Sequence, residues 1–180
     1  TTAQPSITGT DTDTGLVYGT DEVKIVTGGT ERVKIDTNGL KFNGDTAAAN
    51  ALDDYEEGTW TPSINVGTAT ISSSHYIKIG SIVHLSSVFQ NFSNTTSTTP
   101  IRITDLPFPR KASTQGVAAT FYRSIDIGTQ TQLVALMGTA QITFYGMNPG
   151  NSATYMELDY QHLTSTTNSQ LRFSMIYVTD

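Results

Sequence analysis

The sequence predicts an all-β protein in which a short repetitive segment precedes a larger antiparallel β-sandwich of jelly-roll-like form. Three observations lead to this prediction. One ten-residue phrase occurs twice in succession, at residues 20–29 and 30–39, with Thr, Val, Lys, Ile, Thr and Gly recurring in register. From Trp60 onward, short alternating segments are separated by Gly, Pro, Asn and Ser, as in sandwiches and barrels. No long segment with the 3.6-residue period of a helix competes with them.

Each copy of the repeat is predicted to form a strand followed by a tight turn. Val-Lys-Ile alternates apolar and polar side chains, and the copies end in Gly-Gly and Asn-Gly, which accept the positive φ of hairpin turns. Residues 40–42 repeat the pattern in shorter form. A repeat this short buries little by itself, so it needs identical neighbours along the chain or from other chains. We assign residues 1–44 to a β-repeat stem, whose first 15 residues have linker composition.

Residues 45–59 predict a short helical neck. Alanine is the best helix former, Asp45 or Thr46 can cap the first turn, and Gly58 can stop the last. A helix of about two to three turns is marginal alone in water. We therefore expect its apolar face to pack, most simply against symmetry copies of itself. That face consists of Ala48, Leu52 and Tyr55.

Residues 60–180 are assigned to the β-sandwich head domain. Residues 76–79 and 82–89 predict a hairpin around a two-residue Gly-Ser turn. The final segment, 171–178, alternates and then becomes apolar, which predicts a central strand. Trp60 is expected to be buried, and residues 159–163 to form one helical turn. Further strands are predicted over residues 60–66, 68–72, 101–103, 116–123, 132–137, 141–145 and 154–158.

The amino-acid composition and charge argue against some classes of binding partner. Charged residues make up 14% of the 180 residues, below the roughly 25% of ordinary soluble domains, and a surface of Thr, Ser, Asn and Gln is typical of proteins outside cells or on virus particles. The formal net charge of -6 and ten scattered cationic residues argue against nucleic acid. No apolar run approaches the ~18–20 residues of a bilayer span, so no membrane insertion is expected.

The residue types that commonly act in catalysis or bind metals do not occur in the sequence patterns of known sites. We therefore expect no enzyme activity, cofactor or metal site. The three histidines have no spacing for a two-ligand site within one strand or helix,. The acidic run at residues 53–57 lacks the glycine and spaced oxygens of a calcium loop, which favours a solvated surface. Glu157 and Asp159 would point to the same face if their segment is an extended strand. This spacing alone is too weak to predict the carboxylate pair of a glycosidase.

Two polar loops, at residues 91–99 and 146–152, are the candidate ligand-binding sites. Their amides and hydroxyls offer donors and acceptors for sugar hydroxyls, and an aromatic side chain offers a stacking face. For any single loop, an ordinary solvated connection is the favoured alternative. The candidate residues are Phe92, Asn94, Met147, Asn148 and Asn151, and Tyr122 belongs to an alternative candidate region outside these loops.

Three sequence segments resemble the C-terminal part of tail-fibre and related structural proteins of tailed bacteriophages. Residues 52–62 read Leu-Asp-Asp-Tyr-Glu-Glu-Gly-Thr-Trp-Thr-Pro, residues 76–80 read Tyr-Ile-Lys-Ile-Gly, and residues 106–109 read Leu-Pro-Phe-Pro. Residues 31–39 look like the strand-turn units that often precede this part. The resemblance covers most of residues 20–110 and ends with the strand that contains Tyr177.

The resemblance implies a homotrimer with an intertwined β stem, a helical neck and a globular head. It also implies a virion protein, outside the cell, that attaches to the host surface. The family does not fix the ligand, and we expect a bacterial surface glycan or an outer-membrane receptor. Because the chain begins at Thr1 without Met, we expect other virion proteins to bind through a region upstream. The alternatives are a polysaccharide depolymerase tip and a purely structural head fibre or decoration protein. The expected trimer-interface residues are Val23, Ile25, Val33, Ile35, Leu40, Phe42, Ala48, Leu52 and Tyr55.

Overall fold

The computed structural model describes residues 5–148 and 155–180, which are all-β, with antiparallel sheets and no α-helix in those ranges. The chain divides into two compact units, Thr1–Tyr55 and Glu56–Asp180. Each unit has one sheet of its own.

The first unit is a five-stranded meander in which every strand pairs with the next. Each copy of the decapeptide repeat forms a strand followed by a turn, as predicted. The two copies also pair with each other, with Val23 opposite Ile35 and Ile25 opposite Val33. Gly28 and Gly29, at the turn between the copies, have φ of 57° and 67°, a conformation that glycine adopts without strain. The strands are β1 (Ile7–Thr8), β2 (Gly15–Gly19), β3 (Glu22–Thr27), β4 (Thr30–Asp36) and β5 (Gly39–Phe42).

The predicted helical neck is wrong. Only Ala48–Asn50 form a 3₁₀ turn, and Gly58 lies inside a strand, β6 (Tyr55–Thr59). Between them, Leu52 extends the edge of β5, because its backbone N–H and C=O exchange hydrogen bonds of 2.8 and 3.0 Å with Leu40. Alanine's helix preference amounts to fractions of a kcal/mol per residue. A helix of two turns gains few hydrogen bonds, so pairing with an existing strand prevails.

The second unit contains one continuous ten-stranded sheet that curls into a half-barrel. The expected antiparallel all-β head is thus confirmed at the level of fold class. The hydrogen-bonded order is β6-β8-β9-β15-β11-β12-β13-β10-β7, and β14 also pairs with β13. Its strands after β6 are β7 (Ser63–Ile64), β8 (Thr70–Ile79), β9 (Ile82–Gln90), β10 (Arg102–Thr104), β11 (Val117–Arg123), β12 (Gln132–Met137), β13 (Ile142–Met147), β14 (Met156–Glu157) and β15 (Gln170–Val178).

The curl of this sheet follows from its connectivity. Strands β6 and β7 are the two edges of the sheet, yet only residues 60–62 separate them in the chain. A fully extended chain spans about 3.5 Å per residue, so the two edges approach within about 14 Å. A flat sheet of this width cannot meet that limit, since neighbouring strands lie about 4.8 Å apart.

Strand predictions based on local signals were mostly accurate. The hairpin forms around Gly80 and Ser81, with Ile79 opposite Ile82, and β15 is central, between β9 and β11. The predicted turn near residue 160 is a 3₁₀ turn at Tyr160–His162. The segments 68–72 and 76–79 belong to one strand, β8, interrupted by a bulge between Ser72 and His75. Of the strand predicted over residues 60–66, only the two residues of β7 are in a strand.

The core of the second unit is aromatic and aliphatic. Phe173 stacks on Phe89 at 6.3 Å between ring centroids and meets Phe144 edge-on at 6.0 Å. Trp60 is buried, as expected, and its Nε1 donates to the Ser86 carbonyl at 3.1 Å. The Tyr177 hydroxyl donates to the Phe108 carbonyl at 2.9 Å. Burial raises the pKa of Tyr177 to about 12.

Candidate functional site

The prediction that Phe92 tips a ligand-binding loop is wrong, because its side chain is 0% exposed and lies in the core. Asn91, just before it, has φ of 56°, which turns the chain at the end of β9. Ser93 then holds the chain in place, because its N–H donates to the Thr68 carbonyl and its Oγ accepts from the Thr68 N–H, both at 2.8 Å. The ring therefore points inward.

The described candidate loop residues Asn94, Met147 and Asn148 lie at one end of the curled sheet. Gln90 pairs with Gln170, Arg123 pairs with Gln170, and Gln132 pairs with Met147, so β9, β11 and β13 all end on the same side. The loop after β9 and the loop after β13 therefore emerge together. Sequence analysis could not show this, since it depends on the register of four strand pairs.

Within these loops the amides already have internal partners. Asn94 Oδ1 accepts from the N–H groups of Thr96 and Ser97, both at 3.0 Å. Asn148 Nδ2 lies 3.5 Å from the Thr129 carbonyl. Met147 is exposed, Tyr122 is half-buried against the core, and Asn151 lies outside the described residues. The amides thus shape the loops, and among the described candidates Met147 is the most exposed.

The predicted interface residues of the repeat lie together on one face of the five-stranded sheet. The cross-strand pairs Val23–Ile35, Ile25–Val33 and Val33–Phe42 place them there, and Leu40 pairs with Ile35. Most of these side chains are exposed, Ile35 at 57%. We call this surface the apolar stem face; it also includes Leu16 and Tyr18. Outside the repeat, Ala48, Leu52 and Tyr55 are exposed, and they share no helical face.

The opposite face of the same sheet carries paired charges. Lys24, Lys34 and Lys41 are direct cross-strand neighbours, and Lys41 is only 2% exposed. Lys41 and Lys34 approach Asp36 Oδ2 at 3.0 and 3.3 Å, and Lys24 lies 2.6 Å from Glu22. The hydrogen bond from Lys41, with help from the Asn38 N–H, lowers the pKa of Asp36 to about 2.

The segments that carry the phage-fibre resemblance contact one another within the second unit. Phe108 meets Tyr76 edge-on at 5.3 Å and lies under the Lys78 ammonium at 5.5 Å. A Cβ at Gly58 would lie 3.1 Å from the Tyr76 ring, so glycine lets that ring pack directly on the backbone of β6. In the second unit, Gly58, Tyr76 and Phe108 therefore have packing roles.

A groove of about 690 Å³ lies on β8, β9, β11 and β15. Its lining is rich in serine and glutamine and includes Phe121 and Arg172, which are opposite each other on β11 and β15. Sequence analysis missed this groove because these two residues are distant in the chain. The alternating burial of β15, with Leu171 and Phe173 inside, marks Arg172 as outward-facing, but it does not identify the neighbouring strand.

The described residues contain no group of three or more His, Asp or Glu side chains placed to hold a metal ion. Glu157 lies 4.0 Å from the Arg102 guanidinium, and Asp159 caps the 3₁₀ turn at Tyr160–His162. These two carboxylates therefore have separate partners. None of the described helical segments is long and apolar enough to cross a membrane.

The chain was compared with known proteins at three levels. No protein-family model, curated protein or solved structure matched it.

Proposed function

We propose that this chain is the C-terminal part of a bacteriophage fibre, which attaches the virion to the host cell surface as a homotrimer. The observation that carries the proposal is the apolar stem face. A two-layer arrangement of this sheet would bury those side chains. Within the first unit most of them remain exposed, whereas Lys34 and Lys41 on the other face are buried. Exposed apolar patches of this extent mark interaction sites.

A second and third copy of the chain are the partners we propose for this face. The face is built from a repeat, so the same apolar spacing recurs on every copy, and symmetric association pairs like with like. Three copies around one axis would enclose the apolar stem faces and leave the charged faces outward. In this proposal residues 56–180 of each copy form a jelly-roll-like head.

Light scattering tests the assembly. We expect about three times the 19.4 kDa chain mass for the purified protein. Ile35→Glu places a charge in the centre of the apolar stem face and should dissociate the trimer, because three like charges would be buried close together. Thr37→Glu, at an exposed turn of the same hairpin, is the matched control and should remain trimeric. A monodisperse wild-type monomer would contradict the proposal.

The attachment role rests on the phage-fibre resemblance and on the polar, hydroxyl-rich surface of the head. Labelled protein should adsorb to some strains in a panel of bacteria, and to lipopolysaccharide or surface polysaccharide purified from them. Adsorption without release of sugar fragments supports attachment. Release of fragments would indicate a depolymerase, and failure to adsorb to any strain would favour a structural head fibre or decoration protein. The proposed location is the virion, where other virion proteins are further proposed partners.

A further inference from the structure

The groove on the second unit lies on the face of the sheet opposite the core. Along β15, Leu171 and Phe173 point into the core while Arg172 and Ser174 point out. Strand pairing places Arg172 between Phe121 and Val88, with Ser72 beyond Val88. The next outward row holds Ser174 and Ser86. The small side chains Ser86 and Ser174 lie on the floor of the groove, and the larger Phe121 and Arg172 stand beside them.

An aromatic ring and a cation stand together at one side of this groove. Phe121 is 57% exposed, and the Arg172 guanidinium carbon lies 5.7 Å from its ring centroid. The contact orients the guanidinium over the ring. Arg172 makes no ion pair in the part of the chain that the structure describes. An exposed aromatic surface beside a free guanidinium is suited to a ligand with both an apolar face and an anionic group.

The charge of the groove contrasts with that of the whole chain. Arg172 is the single charged residue among those that line it, whereas the chain has a formal net charge of -6. A locally positive, otherwise neutral depression on an acidic protein attracts anions selectively, since anions are repelled by most of the remaining surface.

Two glutamine amides at the groove have unused hydrogen-bonding capacity. Gln170 is only 9% exposed, and its Nε2 donates to Gln90 Oε1 at 3.1 Å. Gln170 Oε1 and Gln90 Nε2 make no hydrogen bond to any described residue. Gln170 Oε1 is not among the fully buried side-chain atoms that lack a partner, so its lone pairs are open to the groove. Sugar hydroxyls, which both donate and accept, can complete this pair.

We propose that this groove binds a carboxylate-bearing saccharide, such as a hexuronic acid within a surface polysaccharide. Arg172 binds the carboxylate through paired N–H groups, the Phe121 ring packs against the C–H face of the sugar, and the Gln90–Gln170 pair binds ring hydroxyls. The groove volume lies within the usual range of about 300–1,000 Å³ for ligand sites. This inference deepens the attachment function and depends on it for its biological meaning.

Calorimetric titration of the full chain with trigalacturonic acid, and with neutral maltotriose, tests the inference. Trigalacturonic acid should bind, more weakly at high salt, and maltotriose should bind at least about tenfold more weakly, because the charge-assisted hydrogen bonds are lost. Arg172→Gln and Phe121→Ala should each weaken trigalacturonate binding about tenfold or more. Both side chains are exposed, so the sole tryptophan, Trp60, should keep its native emission in each variant.

Two matched controls separate the groove from general effects. Lys111→Gln changes the net charge by the same amount at an exposed ion pair with Asp180, and Ile176→Ala removes an exposed apolar side chain from the same sheet. Both controls should bind trigalacturonate as the wild type does. The inference is overturned if the wild type binds neither sugar, binds both equally, or keeps its affinity in both groove variants.

Bacterial adsorption distinguishes this inference from the attachment function itself. If the wild type and the groove variants adsorb equally to bacteria, attachment stands and the groove is not the site through which it occurs. If the wild type binds trigalacturonate through Arg172 and Phe121 but adsorbs to no strain, the groove assignment stands and the attachment function fails.

Discussion

A single backbone conformation decides the role of Phe92. Sequence alone placed the ring on a polar loop, where an aromatic side chain suits a sugar ligand. The positive φ of Asn91 and the hydrogen bonds between Ser93 and Thr68 instead direct the ring into the core. Asparagine tolerates the left-handed region better than most residues. An asparagine directly before an aromatic residue can therefore indicate a sharp turn that directs the ring into the core.

Phe92→Ala should therefore destabilise the protein. Removing a fully buried ring leaves a cavity, and we expect a loss of about 3–5 kcal/mol in the free energy of unfolding. Urea denaturation followed by Trp60 fluorescence measures it. Met147→Ala, which truncates an exposed side chain on the same end of the sheet, is the control and should change stability little. An unchanged denaturation midpoint for Phe92→Ala would show that the ring is not in the core.

Tyr177→Phe should cost about 1 kcal/mol of stability at neutral pH, because the Phe108 carbonyl loses its donor,. Burial raises the pKa of Tyr177 from 10.0 to about 12. Its contribution to stability is thus complete below pH 10 and declines as the pH rises towards 12.

Denaturation midpoints measured from neutral pH to pH 12 test this. The alkaline decline should be shallower in Tyr177→Phe than in the wild type. The control is Tyr155→Phe, which alters an exposed side chain and should retain the wild-type decline. Identical slopes for all three proteins would mean that Tyr177 ionises as easily in the folded state as in the unfolded chain.

At the level of elements, the five-stranded sheet depends on its charged face as well as its apolar one. Because the repeat has a ten-residue period and hairpin turns of fixed length, its lysines fall opposite one another. Three aligned cations would repel each other, and Asp36 offsets this by accepting from two of them. Asp36 is thus the central anion of the sheet.

Asp36→Asn should loosen β4 and β5, and acid should do the same in the wild type. The pKa of Asp36 is lowered from 3.8 to about 2. Its stabilising contribution is therefore complete above pH 3.8 and is lost as the pH falls towards 2. Hydrogen exchange of residues 30–42, measured by mass spectrometry across this range, should show falling protection in the wild type.

The matched control for this experiment is Asp21→Asn, at an exposed turn of the same sheet. It should preserve both the protection at neutral pH and its loss in acid. In Asp36→Asn, protection should already be low above pH 3.8 and should change less on acidification. Equal protection in the Asp36 variant and the wild type would exclude a stabilising role for the ion pairs.

Local signals predicted those elements whose stability is local. The Gly-Ser hairpin and the two repeat copies each contain their own turn chemistry and alternation, so the strands and register followed from sequence. The prediction of a neck helix was wrong because Leu52 pairs with the edge of β5. That edge is formed by residues outside the segment on which the prediction was based. The groove was missed for the same reason, since Phe121 and Arg172 meet only through long-range strand pairing.

At the scale of the whole molecule, the two units differ in how they bury apolar surface. Every member of the main core cluster lies between Trp60 and Tyr177, so the second unit has a core of its own. The first unit exposes the apolar stem face and buries few side chains. Its stability is therefore expected to depend on association, whereas that of the second unit is not.

A fragment comprising residues 56–180 should consequently fold alone. We expect it to keep the blue-shifted emission of buried Trp60 and to unfold cooperatively in urea with a midpoint near that of the full chain. The full chain, measured in parallel, is the control. Emission typical of a solvated indole in the fragment would show that residues 1–55 are needed for the head to fold.

The short link between β6 and β7 has a consequence for solubility at high local concentration. An open sheet offers unpaired N–H and C=O groups along both margins, where a neighbouring molecule can add a strand and begin a fibril. Here one margin has five residues and the other two, and residues 60–62 hold them close to each other. These two short edge strands thus offer few backbone groups to which another chain could add a strand.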